Sequence, residues 1–299
     1  MIAFLGLGNM GGPMAANLAG AGHPVTGYDP APEAADAARA AGIALAPTAA
    51  AAVSGADTVV TMLPTGAHLR ECYAAVLPRV SAGTLLVDCS TVAVEDARAA
   101  AAQARAAGAV PVDAPVSGGV AGARDGTLTF MVGGDAAGYG RAAPLLEAMG
   151  ARAVHCGPSG AGQAAKICNN MILGISMIAV SEAFVLGRAL GLTDQALFDV
   201  AAASSGQCWA LTRYCPVPGP VPDSPANRGY AGGFAAALML KDLRLARDAA
   251  AATGVPAHLG AAAAGRYEAF VAADADGRDF SAIVTAIADR AGRAPEETR

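Results

Sequence analysis

The 299-residue chain is predicted to fold as an α/β domain with a largely parallel sheet, followed by an all-α domain entered through one long helix. Three observations carry this expectation. Short apolar runs alternate with alanine-rich helical stretches over the first half. Three glycines, Gly6, Gly8 and Gly11, follow the first of those runs directly. After Cys156 the alternation stops and only helical patterns remain.

The apolar runs cover residues 2–5, 25–28, 58–62, 84–88, 110–113, 128–132 and 153–156. Strands separated by helices in this way imply a largely parallel sheet with helices on both faces. The first run leads into G-x-G-x-x-G, and residues 13–19 follow as a helix. The first glycine allows a tight turn, the second lets backbone approach a pyrophosphate, and the third lets helix pack on strand. The helix N-terminus then faces the phosphates. Asp29 ends the second run, 18 residues after Gly11, where a carboxylate can accept hydrogen bonds from ribose hydroxyls. A lone glycine triplet is a weak signal, and a plain βα turn with a surface aspartate is its ordinary reading. Strand, glycines, helix and acid coincide here, so residues 1–160 are read as a Rossmann-type dinucleotide-binding domain. Gly6, Gly8, Asn9, Met10, Gly11 and Asp29 are its cofactor contacts. Ligands of such sheets bind outside the carboxyl ends of the strands. The polar segments at 63–65, 88–91 and 113–117 are therefore candidate site lining.

Residues 161–299 form the expected all-helical domain. A helix over 163–190 would be roughly 42 Å long, and Gly191 can stop it. Further helices are expected over 193–203, 234–253, 260–272 and 280–291. Between Ser204 and Gly233 lies a Pro/Gly-rich segment holding the only tryptophan, Trp209. Loops of that length are usually functional or disordered, and its aromatics argue against disorder. The long helix carries a single lysine, Lys166, near its glycine-rich start, with Asn170 one turn later on the same face. Either the lysine stem snorkels to water, or its amine is held in a site where its pKa is lowered for proton transfer.

Composition narrows the functional classes. Hydrophobic residues make up 54% and charged residues 15%, with a net charge of -5. No basic run points to nucleic acid. No uninterrupted stretch of about 20 strongly apolar residues points to a membrane span. With a strand starting at Ile2 there is no room for a signal or transit peptide, so a cytoplasmic location is expected. The six cysteines form no C-x-x-C and no zinc spacing with histidine, so reduced, mostly buried thiols and no metal are expected.

The chain resembles the β-hydroxyacid dehydrogenases over essentially its full length, in Phe4-Leu-Gly-Leu-Gly-Asn-Met-Gly-Gly-Pro-Met-Ala-Ala-Asn-Leu18, Asp113-Ala-Pro-Val-Ser-Gly-Gly119, Gly160-Ala-Gly-Gln-Ala-Ala-Lys166 with Asn170, Ser204-Ser-Gly-Gln-Cys-Trp209, Pro216-Val-Pro-Gly219, and Gly232-Gly-Phe234 followed by Lys241-Asp242. The resemblance implies NAD as cofactor and a small hydroxy acid as substrate, whose primary alcohol is oxidised to a semialdehyde. It implies that Lys166 is catalytic and that Asn170 orients the substrate. Ser117 with the Gly118 and Gly119 amides would grip a carboxylate. Leu63, Pro64 and Thr91 would line the nicotinamide, Lys241 would reach the cofactor, and His68 would contact it. Each position has a plainer reading. Ser117 could satisfy a turn, Thr91 could cap the next helix, Lys241 and Asp242 could be a solvated pair, and His68 could face solvent. Trp209 and Phe234 read as packing residues or as walls of a substrate pocket.

A lysine of ordinary pKa, ~10.4, is charged at neutral pH. Lys166 would therefore act either as a base with a lowered pKa or as a cation that stabilises a forming alkoxide. Sister enzymes that reduce tartronate or succinic semialdehyde share this pattern. Lys166 argues against an imine reductase. Ser117, Lys166 and Asn170 together argue against a non-catalytic nucleotide-binding regulator. Asp29 would repel a 2′-phosphate, and no Lys or Arg occurs in residues 30–36, so NAD is expected over NADP. An apolar surface continuing through residues 180–190 would leave an exposed patch in a monomer, so a homodimer or homotetramer is expected.

Overall fold

The computed structural model describes residues 1–273 and 277–292. The chain divides into two compact units, Met1–Lys166 and Ile167–Arg299.

The first unit holds nine strands: β1 (Ile2–Leu5), β2 (Val25–Tyr28), β3 (Ala44–Leu45), β4 (Thr58–Thr61), β5 (Leu85–Asp88), β6 (Val110–Asp113), β7 (Val116–Ser117), β8 (Leu128–Gly133) and β9 (Gly150–Gly157). Helices α1 (Gly11–Gly20), α2 (Pro32–Ala40), α3 (Ala49–Val53), α4 (Gly66–Val76), α5 (Val94–Ala106), α6 (Gly119–Asp125) and α7 (Ala136–Met149) connect them. The order across the sheet is β3-β2-β1-β4-β5-β6-β8-β7, with β9 beside β8. The strands from β3 to β6 run parallel, with Leu5 level with both Tyr28 and Thr61, and Asp88 level with Asp113. β8 runs antiparallel to β6 and β7, and β9 runs parallel to β8. β1 sits between β2 and β4, so the chain leaves it in opposite directions. Its carboxyl end is the switch point of the sheet.

Parallel strands covered by helices on both faces are apolar throughout rather than alternating. Phe4, Met14, Leu18, Leu128 and Phe130 pack in one layer, and Leu5, Val59, Leu69, Tyr73 and Leu86 in the other. Adjacent residues Phe4 and Leu5 thus serve opposite faces, as the strand period requires.

The second unit is built on α8 (Ala161–Ala189), which begins in the first unit, followed by α9 (Asp194–Ala202), α10 (Trp209–Thr212), α11 (Ala236–Thr253), α12 (His258–Ala273) and α13 (Ile283–Arg290). By length and composition α8 could cross a bilayer; here Met177 and Phe184 lie in the core with Met239, Leu243, Tyr267 and Phe280. The last expected helix opens as a 3-10 turn, Phe280–Ala282, capped by Asp279.

The Pro/Gly-rich segment is not bare loop. It contains α10 and a 3-10 turn, Pro225–Arg228. Ser224 Oγ donates to the Cys215 carbonyl, Tyr230 Oη to the Pro216 carbonyl at 3.0 Å, and Asn227 Nδ2 to the Val221 carbonyl at 2.8 Å. Side chains here satisfy backbone groups that no ladder serves. The cysteines are all unpaired, but only Cys89 and Cys215 are buried and Cys168 is exposed. The expectation of mostly buried thiols is corrected, because Cys168 lies on an outward face of α8.

Candidate active site

The glycine turn after β1 is shaped for a ligand. Gly6 has φ +93°, and a Cβ on Gly11 would overlap the Gly6 carbonyl oxygen. Gly8 has no atom within 4 Å of where a Cβ would stand. The cap position of α1, Met10, contributes no side-chain hydrogen bond, so the helix start depends on outside acceptors. Asp29 is fixed to this turn: Oδ2 accepts from Leu7 N at 2.7 Å and Oδ1 from Ala31 N at 2.8 Å. An open backbone cradle, an uncapped helix start and an anchored acid at the next strand end fit a dinucleotide.

The remaining strand ends point the same way along the sheet. Leu63 and Pro64 follow β4, and Leu63 N donates to Ser90 Oγ at 2.8 Å. Thr91 follows β5; Ala93 holds the cap position of α5, so Thr91 is not that helix's cap. Ser117 lies in β7 opposite Thr129, and Gly118 (φ +135°) and Gly119 (φ +62°) turn the chain into α6. His68 is exposed on the first turn of α4, with Nδ1 2.7 Å from Oγ1 of Thr65, the helix cap. It is a local partner of that cap.

Behind these ends lie buried polar groups that periodicity does not reveal. Asp88 Oδ1 accepts from Thr61 Oγ1 (2.7 Å) and Ser90 Oγ (2.6 Å). Burial pushes its carboxyl up to about 6, the hydrogen bonds from Ser90 and Thr61 oppose that rise, and the charge of Asp113 adds to it. Asp113 accepts from Gly160 N (2.7 Å) and Gln163 N (3.1 Å). Burial raises it as well, against those backbone bonds. It therefore acts as an acceptor for the start of α8, whose first amides have no helical partner.

Lys166 is only 7% exposed and Asn170 2% exposed. Little of the Lys166 side chain therefore reaches bulk water. In the second unit Asn170 Nδ2 donates to Asp242 Oδ2, and Lys241 Nζ lies 3.5 Å from Asp242 Oδ1. Asp242 is 3% exposed while the Lys241 side chain is 34% exposed, so the acid end of the pair is buried and only the lysine end meets solvent. Asp242 is not among the site residues expected from the sequence. A signal was present: buried Met239, Leu243 and Ala246 flank it at helical spacing, which sets Asp242 on the buried face. Trp209 stacks on Tyr214 with ring centroids 4.9 Å apart and is half exposed.

The first unit has the fold and the strand-end groups of an NAD-binding oxidoreductase domain. Residues 1–157 match the family described as the NAD binding domain of 6-phosphogluconate dehydrogenase, and residues 160–287 that described as NAD-binding of NADP-dependent 3-hydroxyisobutyrate dehydrogenase. A probable 3-hydroxyisobutyrate dehydrogenase of Mycobacterium tuberculosis is 56% identical over 97% of this chain and 98% of its own. The solved structure of the M. tuberculosis 3-hydroxyisobutyrate dehydrogenase with L-serine superposes with a TM-score of 0.93 over 96% of this chain and 98% of its own, at 56% identity. An NAD-dependent L-serine dehydrogenase of Pseudomonas aeruginosa is 47% identical over 94% of this chain and 96% of its own. The chain belongs to the 3-hydroxyisobutyrate dehydrogenase family of β-hydroxyacid dehydrogenases.

Proposed function

We propose that this protein oxidises the primary alcohol of 3-hydroxyisobutyrate to methylmalonate semialdehyde, as a cytoplasmic step of valine breakdown. The observation that carries this is a buried lysine one helical turn from a buried, acid-held asparagine, together with an NAD cradle. NAD supplies hydride acceptance when bound, and Gly6, Gly8, Asn9, Met10, Gly11, Asp29, Leu63, Pro64, Thr91 and Lys241 would hold it. His68, tied to Thr65, would border that set. Asp29 favours NAD over NADP, since a 2′-phosphate would meet its charge.

The protein's own groups bind, orient and handle a proton. Ser117 with the Gly118 and Gly119 amides holds the carboxylate. Lys166 Nζ meets the substrate hydroxyl, taking its proton or stabilising the alkoxide. Asn170 orients that hydroxyl, and Asp242 fixes the Asn170 amide. The branch methyl needs an apolar wall, for which Trp209 and Phe234 are the candidates. A second copy of the chain covers the outward side chains of α8, as a homodimer or homotetramer. Ile172 and Leu186 on α8 and Leu190 just past its end support this, being 63%, 59% and 72% exposed.

The relatives favour one second reading, L-serine, which differs from 3-hydroxyisobutyrate at the branch. Steady-state kcat/KM with NAD+ for 3-hydroxyisobutyrate, L-serine, 3-hydroxypropionate, 4-hydroxybutyrate and glycerate separates the two. We expect 3-hydroxyisobutyrate to be best, ahead of 3-hydroxypropionate by about 10- to 200-fold, the worth of one methyl in an apolar pocket. L-serine coming first would move the assignment to the amino acid. Turnover of none of the five would overturn the proposal.

A further inference from the structure

Gln163 stands one helical turn before Lys166 and is fully buried. Its side-chain amide docks on the loop after β5 at two points. Oε1 accepts from Val92 N at 3.1 Å, and Nε2 donates to the Ser90 carbonyl at 2.7 Å. These two backbone groups flank Thr91, so the glutamine amide pairs with the loop as a neighbouring strand's peptide group would. The connection continues. Ser90 Oγ donates to Asp88 Oδ1 and accepts from Leu63 N, while Thr61 Oγ1 donates to the same Asp88 oxygen. One run of hydrogen bonds, buried up to the part-buried link at Leu63, thus joins the start of α8, the backbone around Thr91, and Leu63.

We infer that Gln163, through Ser90 and Asp88, is a positioning residue that sets Lys166 in register with Thr91 and Leu63. This rests on the reading of Lys166 as catalytic and of Thr91 and Leu63 as nicotinamide neighbours. The physical reason is preorganisation: a reacting geometry misplaced by 1 Å can cost about 10²-fold in rate. Gln163 is suited to the task because its amide is both donor and acceptor. A side chain without those groups would leave Ser90 O and Val92 N buried and unpaired.

The test compares Gln163→Met, which keeps length and removes the amide, with Thr84→Val. Thr84 is buried just before β5, at the end of that strand away from Ser90, where Oγ1 donates to the Ala56 carbonyl, and it reports a purely structural loss. Hydrogen exchange of residues 61–66 and 90–93 is measured on the full chain without cofactor or substrate. Turnover, NADH affinity by fluorescence, and the isotope effect with substrate dideuterated at the carbinol carbon follow. Gln163→Met should exchange the Val92 and Leu63 amides at least tenfold faster. It should lose about 10- to 100-fold in kcat with NADH affinity within threefold, and show a larger isotope effect. Thr84→Val should change none of these by more than threefold.

Exchange and kcat within threefold of the original in Gln163→Met would overturn the inference, as would equal effects in Thr84→Val. If Gln163→Met does not fold, Ser90→Ala takes its place, and unchanged Leu63 exchange with unchanged kcat overturns it. Should the unaltered protein oxidise no hydroxy acid, the functional reading fails. The exchange comparison still decides whether Gln163 fastens Thr91 and Leu63.

Discussion

Asn170 donates through Nδ2 to Asp242 Oδ2 at 2.5 Å, a bond between two buried side chains on different helices of the second unit. The acid holds the amide in one orientation and leaves the Asn170 carbonyl oxygen a fixed direction. Asp242→Ala and Asn170→Ala should each lower kcat/KM by about 10- to 100-fold. The double variant should lose far less than the product, because groups acting as a unit are not additive. A double-mutant cycle on kcat/KM checks this, and full additivity would separate the two residues. Loss of a buried hydrogen-bond partner should also cost about 1–3 kcal/mol of stability, measured by urea unfolding.

Lys166→Ala should keep NADH binding and lose turnover by about 10²–10⁴, the range of an acid–base group. Cofactor titration shows whether the variant is folded. Near-normal kcat in a folded Lys166→Ala protein would remove this amine from the chemistry.

Asp29 should set cofactor choice. Its carboxylate is already fastened to Leu7 N and Ala31 N, so it cannot swing away from a 2′-phosphate without breaking those bonds. The unaltered protein should have a higher kcat/KM with NAD than with NADP, and Asp29→Ala should narrow the ratio at least tenfold. A preference for NADP in the unaltered protein would refute this role.

Asp88 should leave a signature in the pH dependence of stability. Its folded value of about 6 lies above its ordinary value of 3.8. Between those values the folded state binds the extra proton, so stability falls as pH rises from about 4 to 6. Asp88→Asn removes the titration. The stability of the variant relative to the parent should grow across that window by at most about 3 kcal/mol, read from urea unfolding at pH 4, 5, 6 and 7. A difference that does not vary with pH would refute the prediction.

Light scattering at micromolar concentration should give a particle of two or four chains. Leu186→Glu, on the exposed side of α8, or Leu190→Glu, just past its end, should shift it toward the single chain. A 29.3 kDa particle for the unaltered protein would refute the assembly.

Much of this architecture is legible in the residues. The glycine turn follows from its spacing, and β1 and the Leu85–Val87 part of β5 announce themselves because fully buried strands read as unbroken apolar runs. β3 and β7 do not, being two residues long and defined only by their partners. β9 extends to both sides of its apolar run because pairing with β8 carries polar residues such as Arg152 into the ladder. The site splits in the same way. Gly6, Gly11 and Asp29 follow from local chain geometry. Asp88, Asp113, Gln163 and Asp242 acquire their meaning from partners 27 to 73 residues away, which no local pattern encodes. His68 shows the reverse, with a local bond to Thr65 three residues back.

Gly162, next to Gln163, lies so close to the carbonyl oxygens of Met131 and Asp113 that a Cβ would overlap both. The seating of Lys166 four residues on therefore depends on an atom that is not there. A single added methyl would work as a shim, lifting the helix start off the sheet while leaving every reactive group chemically intact. Damage of that kind would be invisible to any inventory of functional side chains. At this position even the smallest replacement, alanine, disrupts the seat, and tolerance scanning should record a site with no acceptable alternative.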